Sequence, residues 1–243
     1  MTLSAKAFQR WLHSIAPDAS TADVCRVSGI KRTTLAQQLV RGKVSVSTVV
    51  SVSRAYNINP VAALAGFDAY SVLSGPQRPP TRSELVSQIS TADLLRALLA
   101  RPPMEPARGA STTALGPTPH ATSVKNWVDA IDDGEVRHRV STTTGVAPQN
   151  YSAQLTANRL SPELAVATAV AAGVGPAGGL VATGIITEEE AGWPPGARQA
   201  ALDSLSDGEL TALAGERLQA LGKVLRRQEQ DQAQTEKIWE NLG

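Results

Sequence analysis

The sequence repeats itself at an offset of 116 residues, without a gap. The identities fall on residues that have special packing or conformational roles. The matched pairs include Trp11 and Trp127, Val24 and Val140, Gly29 and Gly145, Gln38 and Gln154, and Pro60 and Pro176. A repeat of this length predicts two copies of one domain rather than a solenoid of short units.

Composition favours helices for both copies. The 243 residues are 42% apolar but only 4% aromatic, so the core depends on Ala, Val, Leu and Ile. Such a core suits small helical domains better than a β-sandwich, and we expect an all-α fold. One cysteine excludes an internal disulfide, and with three scattered histidines it does not make a zinc site. No metal or other cofactor is therefore expected.

Two further classes are excluded by the pattern of apolar residues. No run of 18 apolar residues occurs, so we expect no transmembrane helix and no membrane partner. The first ten residues lack the apolar stretch of a signal peptide. We therefore expect a cytoplasmic protein.

Three segments are expected along the chain. Residues 1–100 form copy one and residues 123–243 form copy two. Residues 101–122 (RPPMEPARGASTTALGPTPHAT) are rich in Pro, Gly, Ser and Thr and predict an extended, mobile linker. The net charge changes sign there: residues 1–122 carry 13 basic and 6 acidic residues, and residues 123–243 carry 10 and 16. Such asymmetry indicates a half that faces nucleic acid and a half with another task.

The helix signals in copy one predict a compact set of short helices. The predicted helices are Leu3–Ile15, Thr21–Ser28, Arg32–Val40, Ser45–Asn57 and a last one that Pro60 opens. Ser20 and Asp23 form an N-terminal cap for the helix Thr21–Ser28, and Gly29 ends that helix. Two short helices joined by a tight glycine turn are the helix-turn-helix arrangement.

The outward face of the second helix of this pair carries residue types that read DNA. Arg is suited to guanine, Gln to adenine, and Thr to a thymine methyl, while Lys serves phosphate. The candidate residues around this helix are Lys31, Arg32, Thr33, Thr34, Gln37, Gln38, Arg41 and Lys43.

The stretch VCRVSGIKRTTLAQQLVRGK (residues 24–43), followed by VVSVSRAYNINP (residues 49–60), resembles the Cro/XRE-like (lambda-repressor-like) helix-turn-helix family. The resemblance implies five-helix DNA-binding domains, here in two tandem copies with a C-terminal helix. By position it implies base reading by Arg32, Thr33 and Gln37. It also implies phosphate contacts from Thr21, Arg41 and Lys43.

Copy two keeps the pattern of buried and turn residues of copy one but has different residues at the expected surface positions. Pro148 replaces Arg32 and Ala157 replaces Arg41, but Gln149, Asn150, Gln154, Asn158 and Arg159 remain as candidate DNA contacts. Residues 11–66 have six basic and two acidic residues, whereas residues 127–182 have three and five. We therefore expect weaker DNA binding by copy two alone.

Other motifs have structural interpretations. Trp11 and Trp127 are expected in the core, and Glu188–Glu190 as a solvated helix start. The glycine-rich residues 173–179 lack the Lys and Ser/Thr of a phosphate loop and align with a turn of copy one. Residues 206–243 predict a long helix whose short apolar seam permits a homodimer.

These features predict a sequence-specific regulator that binds double-stranded DNA and represses by occupying an operator, expected to be asymmetric because the two readers differ. The layout resembles immunity repressors of actinobacterial phages, and 17 Arg against 6 Lys fits a high-GC source. The alternative is an antitoxin-like adaptor in which copy one binds DNA and copy two holds a protein. No catalytic constellation or small-molecule site is evident, so no enzyme is expected.

Overall fold

A computed structural model describes residues 3–101 and 114–242 of the chain, with side chains described as far as residue 235. About 65% of the structure is helix and 2% is strand, which confirms the all-α fold. The helices of copy one are α1 (Ala5–Ile15), α2 (Thr21–Ser28), α3 (Arg32–Val40), α4 (Val46–Ala55), α5 (Pro60–Ala65), a 3₁₀ helix (Asp68–Ser74), α6 (Arg82–Ser87) and α7 (Thr91–Leu99). Those of copy two are α8 (Ser123–Ile131), α9 (Val136–Thr144), α10 (Pro148–Thr156), α11 (Pro162–Ala171), α12 (Gly178–Ala182), α13 (Ala197–Asp203) and α14 (Asp207–Leu242).

Local signals fix the α2–α3 pair. The Ser20 hydroxyl accepts a hydrogen bond from the backbone N–H of Asp23, which satisfies one of the free donors at the start of α2. Gly29 ends α2 with φ 71°, a left-handed conformation in which a side chain is strained. Both helices have the predicted bounds.

The backbone repeats at the same offset as the sequence. The bounds of α10 and α11 are those of α3 and α4 shifted by 116 residues. The turn glycines Gly29 and Gly145 have φ values of 71° and 70°. Gly42 and its counterpart Asn158 also share a left-handed conformation, with φ values of 69° and 50°.

The start of the chain differs from the predicted helix. Leu3–Ser4 is a short strand, β1, that pairs antiparallel with β2 (Lys43–Val44), and α1 begins only at Ala5. Leu3 is buried in this pairing. An apolar residue at this position fits the helical period equally well, so periodicity alone did not separate the two structures.

Trp127 is at the centre of the core of copy two and is fully buried. Its counterpart Trp11 is only half-buried, and its ring contacts Phe8 and Phe67. The prediction of a core tryptophan is therefore confirmed for copy two and wrong for copy one.

The compact units of the chain differ from the three predicted segments. One unit consists of Met1–Gln88 and Pro117–Arg198, and the other of Ile89–Gly116 and Gln199–Gly243. The larger unit holds both α2–α3 and α9–α10, because α6 of copy one packs against α8 of copy two. The smaller unit is built on packing between α7 and α14.

The predicted linker is anchored in its described part. Residues 102–113 lie outside the described residues. The Thr118 hydroxyl donates to the Glu188 carboxylate at 3.0 Å, and a ring nitrogen of His120 lies 3.0 Å from the Ser87 carbonyl oxygen. These contacts belong to the larger unit and hold residues 118–120 in place.

Candidate nucleic-acid interface

Helix α3 exposes a continuous polar face. Leu35 is fully buried, so the residues on the opposite side of the helix face solvent. Arg32, Thr33, Thr34 and Gln37 are all exposed. Their side chains make no hydrogen bond or ion pair with any described residue, and they are free to contact a ligand.

Unpaired cations flank this face at both ends. Lys31 precedes α3, Arg41 follows it in the short loop before β2, and Lys43 is the first residue of β2. All three side chains are exposed and lack a carboxylate partner among the described residues. Thr21 is exposed in the first turn of α2. The predicted residues of copy one, with one exception, therefore form one accessible surface.

The exception is Gln38, whose side chain turns inward. Its Oε1 accepts hydrogen bonds from the Ser45 backbone N–H and the Thr48 hydroxyl, each at 3.0 Å. Ser45 is the N-cap of α4, so this amide ties α3 to the start of α4. We correct the assignment of Gln38 from a DNA contact to a structural contact.

Gln154 makes the same contact in copy two. Its Oε1 accepts from the Ser161 backbone N–H at 3.1 Å, and Ser161 caps α11. Asn158 is also engaged: its Oδ1 accepts from the backbone N–H groups of Val124 and Lys125 in the first turn of α8. Both assignments as DNA contacts are corrected, because these side chains accept hydrogen bonds from backbone N–H groups at the starts of α11 and α8.

The remaining candidates of copy two stay accessible. Pro148 occupies the first helical position of α10, and Gln149 and Asn150 follow it on the exposed surface. Arg159 is exposed beyond the helix and has no partner among the described residues. The first turn of α10 thus presents amides where α3 presents Thr33 and Thr34, and Pro148 where α3 presents Arg32.

Three cations in the first two helices of copy two are paired with carboxylates of the same copy. Lys125 pairs with Asp129, and Arg137 bridges Asp129 at 2.7 Å and Asp132 at 2.8 Å. The guanidinium of Arg139 pairs with Asp133 at 2.9 Å. It lowers the pKa of the Asp133 carboxyl, because its hydrogen bonds favour the charged form.

Two cations that sequence reasoning missed lie on α1. Lys6 and Arg10 are exposed and lack an acidic partner in the described structure. The Ala5 backbone N–H donates to the Gly42 carbonyl at 3.0 Å, so α1 begins beside the loop at Gly42, between Arg41 and Lys43. The four-residue spacing of Lys6 and Arg10 was the available signal, but only the strand pairing places Lys6 near that loop.

The described residues contain no group of three or more His, Cys, Asp or Glu side chains that could hold a metal ion. None of their helices combines the length and the apolar character needed to cross a membrane. Comparison with family models, with curated proteins and with solved structures finds no match to this chain.

Proposed function

We propose that the protein is a sequence-specific regulator that binds double-stranded DNA through two helix-turn-helix modules, with α3 as the principal reader. The observation that carries the proposal is the exposed face of Arg32, Thr33 and Gln37, flanked by the unpaired cations Lys31 and Arg41. Polar side chains that reach base edges give specificity, and flanking cations that contact phosphates give register and affinity.

Occupancy of an operator is the mechanism that follows. A protein seated on a promoter blocks polymerase without a further activity. The layout resembles the immunity repressors of actinobacterial phages, and we propose this role for the chain. The two readers differ, since α3 offers an arginine and two threonines where α10 offers a proline and two amides, so the operator is asymmetric.

A binding-site selection with the purified chain tests the proposal. The wild-type protein is expected to enrich one motif, and Arg32→Ala is expected to relax one base position and lose about 1–3 kcal/mol of binding free energy. Arg26→Ala is the matched control, because Arg26 is exposed but pairs with Asp23. Selection that enriches no motif overturns the proposal.

One observation favours the adaptor as a second candidate. Copy two pairs three of its cations with its own carboxylates, namely Lys125, Arg137 and Arg139. Few cations are then left to contact DNA phosphates. The discriminating variant replaces Gln149 and Asn150 by Ala. Unchanged operator affinity assigns copy two to a protein partner, and loss of part of the selected motif assigns it to DNA.

A further inference from the structure

The two copies are joined by an ion pair with ideal geometry. The Arg54 guanidinium donates from Nε and Nη2 to the two oxygens of Glu190, at 2.6 and 2.7 Å. Nη2 also donates to the Ile185 carbonyl, and the Asn59 amide donates to the Glu190 carbonyl at 2.9 Å. A bidentate pair of this kind fixes orientation as well as distance.

A second connection lies in the interior of the same unit. The indole N–H of Trp127 donates to Glu84 Oε1 at 3.2 Å, and both residues are almost fully buried. Beside it, the Gln88 amide donates to the Ser123 carbonyl and accepts from the Ser123 hydroxyl. Because the Trp127 indole and the Ser123 hydroxyl are buried and have their partners in copy one, separating the copies leaves these polar groups unpaired, at a high energetic cost.

Glycines in copy two allow copy one to come this close. A Cβ on Gly178 would lie 2.4 Å from Glu84 Oε1, and a Cβ on Gly175 would lie 3.0 Å from the Arg78 carbonyl oxygen. The Arg78 guanidinium in turn donates to the Gly173 carbonyl at 2.7 Å. The glycine-rich segment is thus a docking surface for copy one.

Rigid contacts connect each exposed reader to this junction. Gln38 ties α3 to the N-cap of α4, and Arg54 lies near the other end of α4. In copy two, Gln154 ties α10 to the N-cap of α11, and α11 packs against α12, where Gly178 lies. The two readers are therefore ends of one continuous packed body.

We propose that Arg54 and Glu190 are positioning residues that hold α3 and α10 at one separation, so that the protein recognises its two DNA sub-sites only at one spacing. This inference rests on the proposed function. Inserting one base pair moves a sub-site by about 3.4 Å along the duplex and by about 35° around it. A rigid reader does not follow that displacement, whereas two domains on a flexible tether do.

Charge reversal and rescue test the role of the pair. Arg54→Glu places like charges together, and Arg54→Glu with Glu190→Arg restores an opposite pair in reverse order. Arg26→Glu is the matched control, because it reverses an exposed arginine whose partner, Asp23, lies in the same helix. The measurement is the ratio of dissociation constants for the selected site with and without one inserted base pair.

The wild type and the control are expected to prefer the selected spacing by at least about tenfold, because the displaced sub-site loses its base contacts. Arg54→Glu is expected to lower this preference, although the buried contacts still join the copies, and the double variant is expected to restore it. A wild type that is indifferent to the insertion, or an Arg54→Glu variant that keeps the full preference, overturns the inference.

A measurement without DNA separates this inference from the proposed function. Val40 and Thr156 are exposed, correspond at the 116-residue offset, and lie at the ends of α3 and α10. Spin labels on Val40→Cys and Thr156→Cys, with Cys25→Ala to remove the native thiol, report the distance between the readers. A narrow distribution that broadens in Arg54→Glu and narrows in the double variant supports the positioning role even if no motif is selected.

Two further results are decisive. A broad distance distribution in the parent protein overturns the inference. A selected motif with a single sub-site, read by copy one alone, also overturns it while leaving DNA binding intact.

Discussion

The indole Nε1 of Trp127 donates a hydrogen bond to the carboxylate of Glu84 in the interior of the larger unit, over 3.2 Å. The two residues come from different copies of the repeat. Glu84 also accepts from the backbone N–H and the hydroxyl of Thr81, so the indole is one of three donors to this buried carboxylate.

Trp127→Phe removes that donor and leaves the carboxylate under-satisfied. We expect the free energy of unfolding to fall by about 1–3 kcal/mol, measured by urea denaturation. Trp11→Phe is the matched control, because Trp11 is half-buried and its indole makes no hydrogen bond among the described residues. Equal losses from both variants would show that only ring volume matters.

Gln37 and Gln38 are neighbours with opposite roles. Gln38→Ala removes the acceptor of the Ser45 N–H and is expected to lower stability by about 1 kcal/mol. Gln37→Ala is expected to leave the unfolding midpoint unchanged and to weaken binding to the selected motif, because its side chain faces solvent. Thermal melts and DNA titrations of both variants check that Gln38→Ala lowers stability and that Gln37→Ala lowers DNA affinity.

The unpaired cations beside α3 are expected to act on every DNA sequence. Arg41→Ala and Lys43→Ala should each weaken binding uniformly and reduce the slope of log K against log salt by about 0.9. Lys125→Ala serves as the control, because Lys125 is paired with Asp129. A slope that is unchanged in all three variants argues against phosphate contacts by this loop.

The Arg54–Glu190 pair makes stability depend on pH. Hydrogen bonds from Arg54 lower the pKa of the Glu190 carboxyl below its ordinary value of 4.5. A carboxyl whose pKa is depressed on folding stabilises the protein above its unfolded pKa, and this stability is lost as the pH falls through the folded value. The stability difference between wild type and Arg54→Ala should therefore be largest above about pH 5.5 and shrink towards pH 3. Urea unfolding across that range measures it, and a difference independent of pH contradicts the assignment.

Local signals predicted helices α2 and α3 and the turn between them. The Ser20 cap and the turn at Gly29 determine where α2 begins and ends, and both act within a few residues, so the sequence contains the whole cause. The exposed residues of α3 follow from the inward period of Leu35 in the same way.

Local sequence signals did not predict contacts between residues that are distant in the chain. Glu188–Glu190 was predicted as a solvated start, but Glu190 pairs with Arg54 and Glu188 pairs with Arg198 at 2.7 Å. The inward turn of Gln38 depends on where α4 begins relative to α3, which no local signal describes. The sequence correctly predicted exposed polar side chains on α3 and just after it, and it misassigned the amides Gln38, Gln154 and Asn158 that tertiary packing uses.

The glycine-rich docking surface of copy two has no equivalent in copy one. At the same register, copy one carries Asn59 and Ala62 where copy two has Gly175 and Gly178. Copy one thus has a Cβ at both positions, whereas in copy two a Cβ would lie 3.0 Å or less from Arg78 or Glu84 of copy one. The surfaces that meet between the copies therefore differ, and the contact is asymmetric although the sequence repeats.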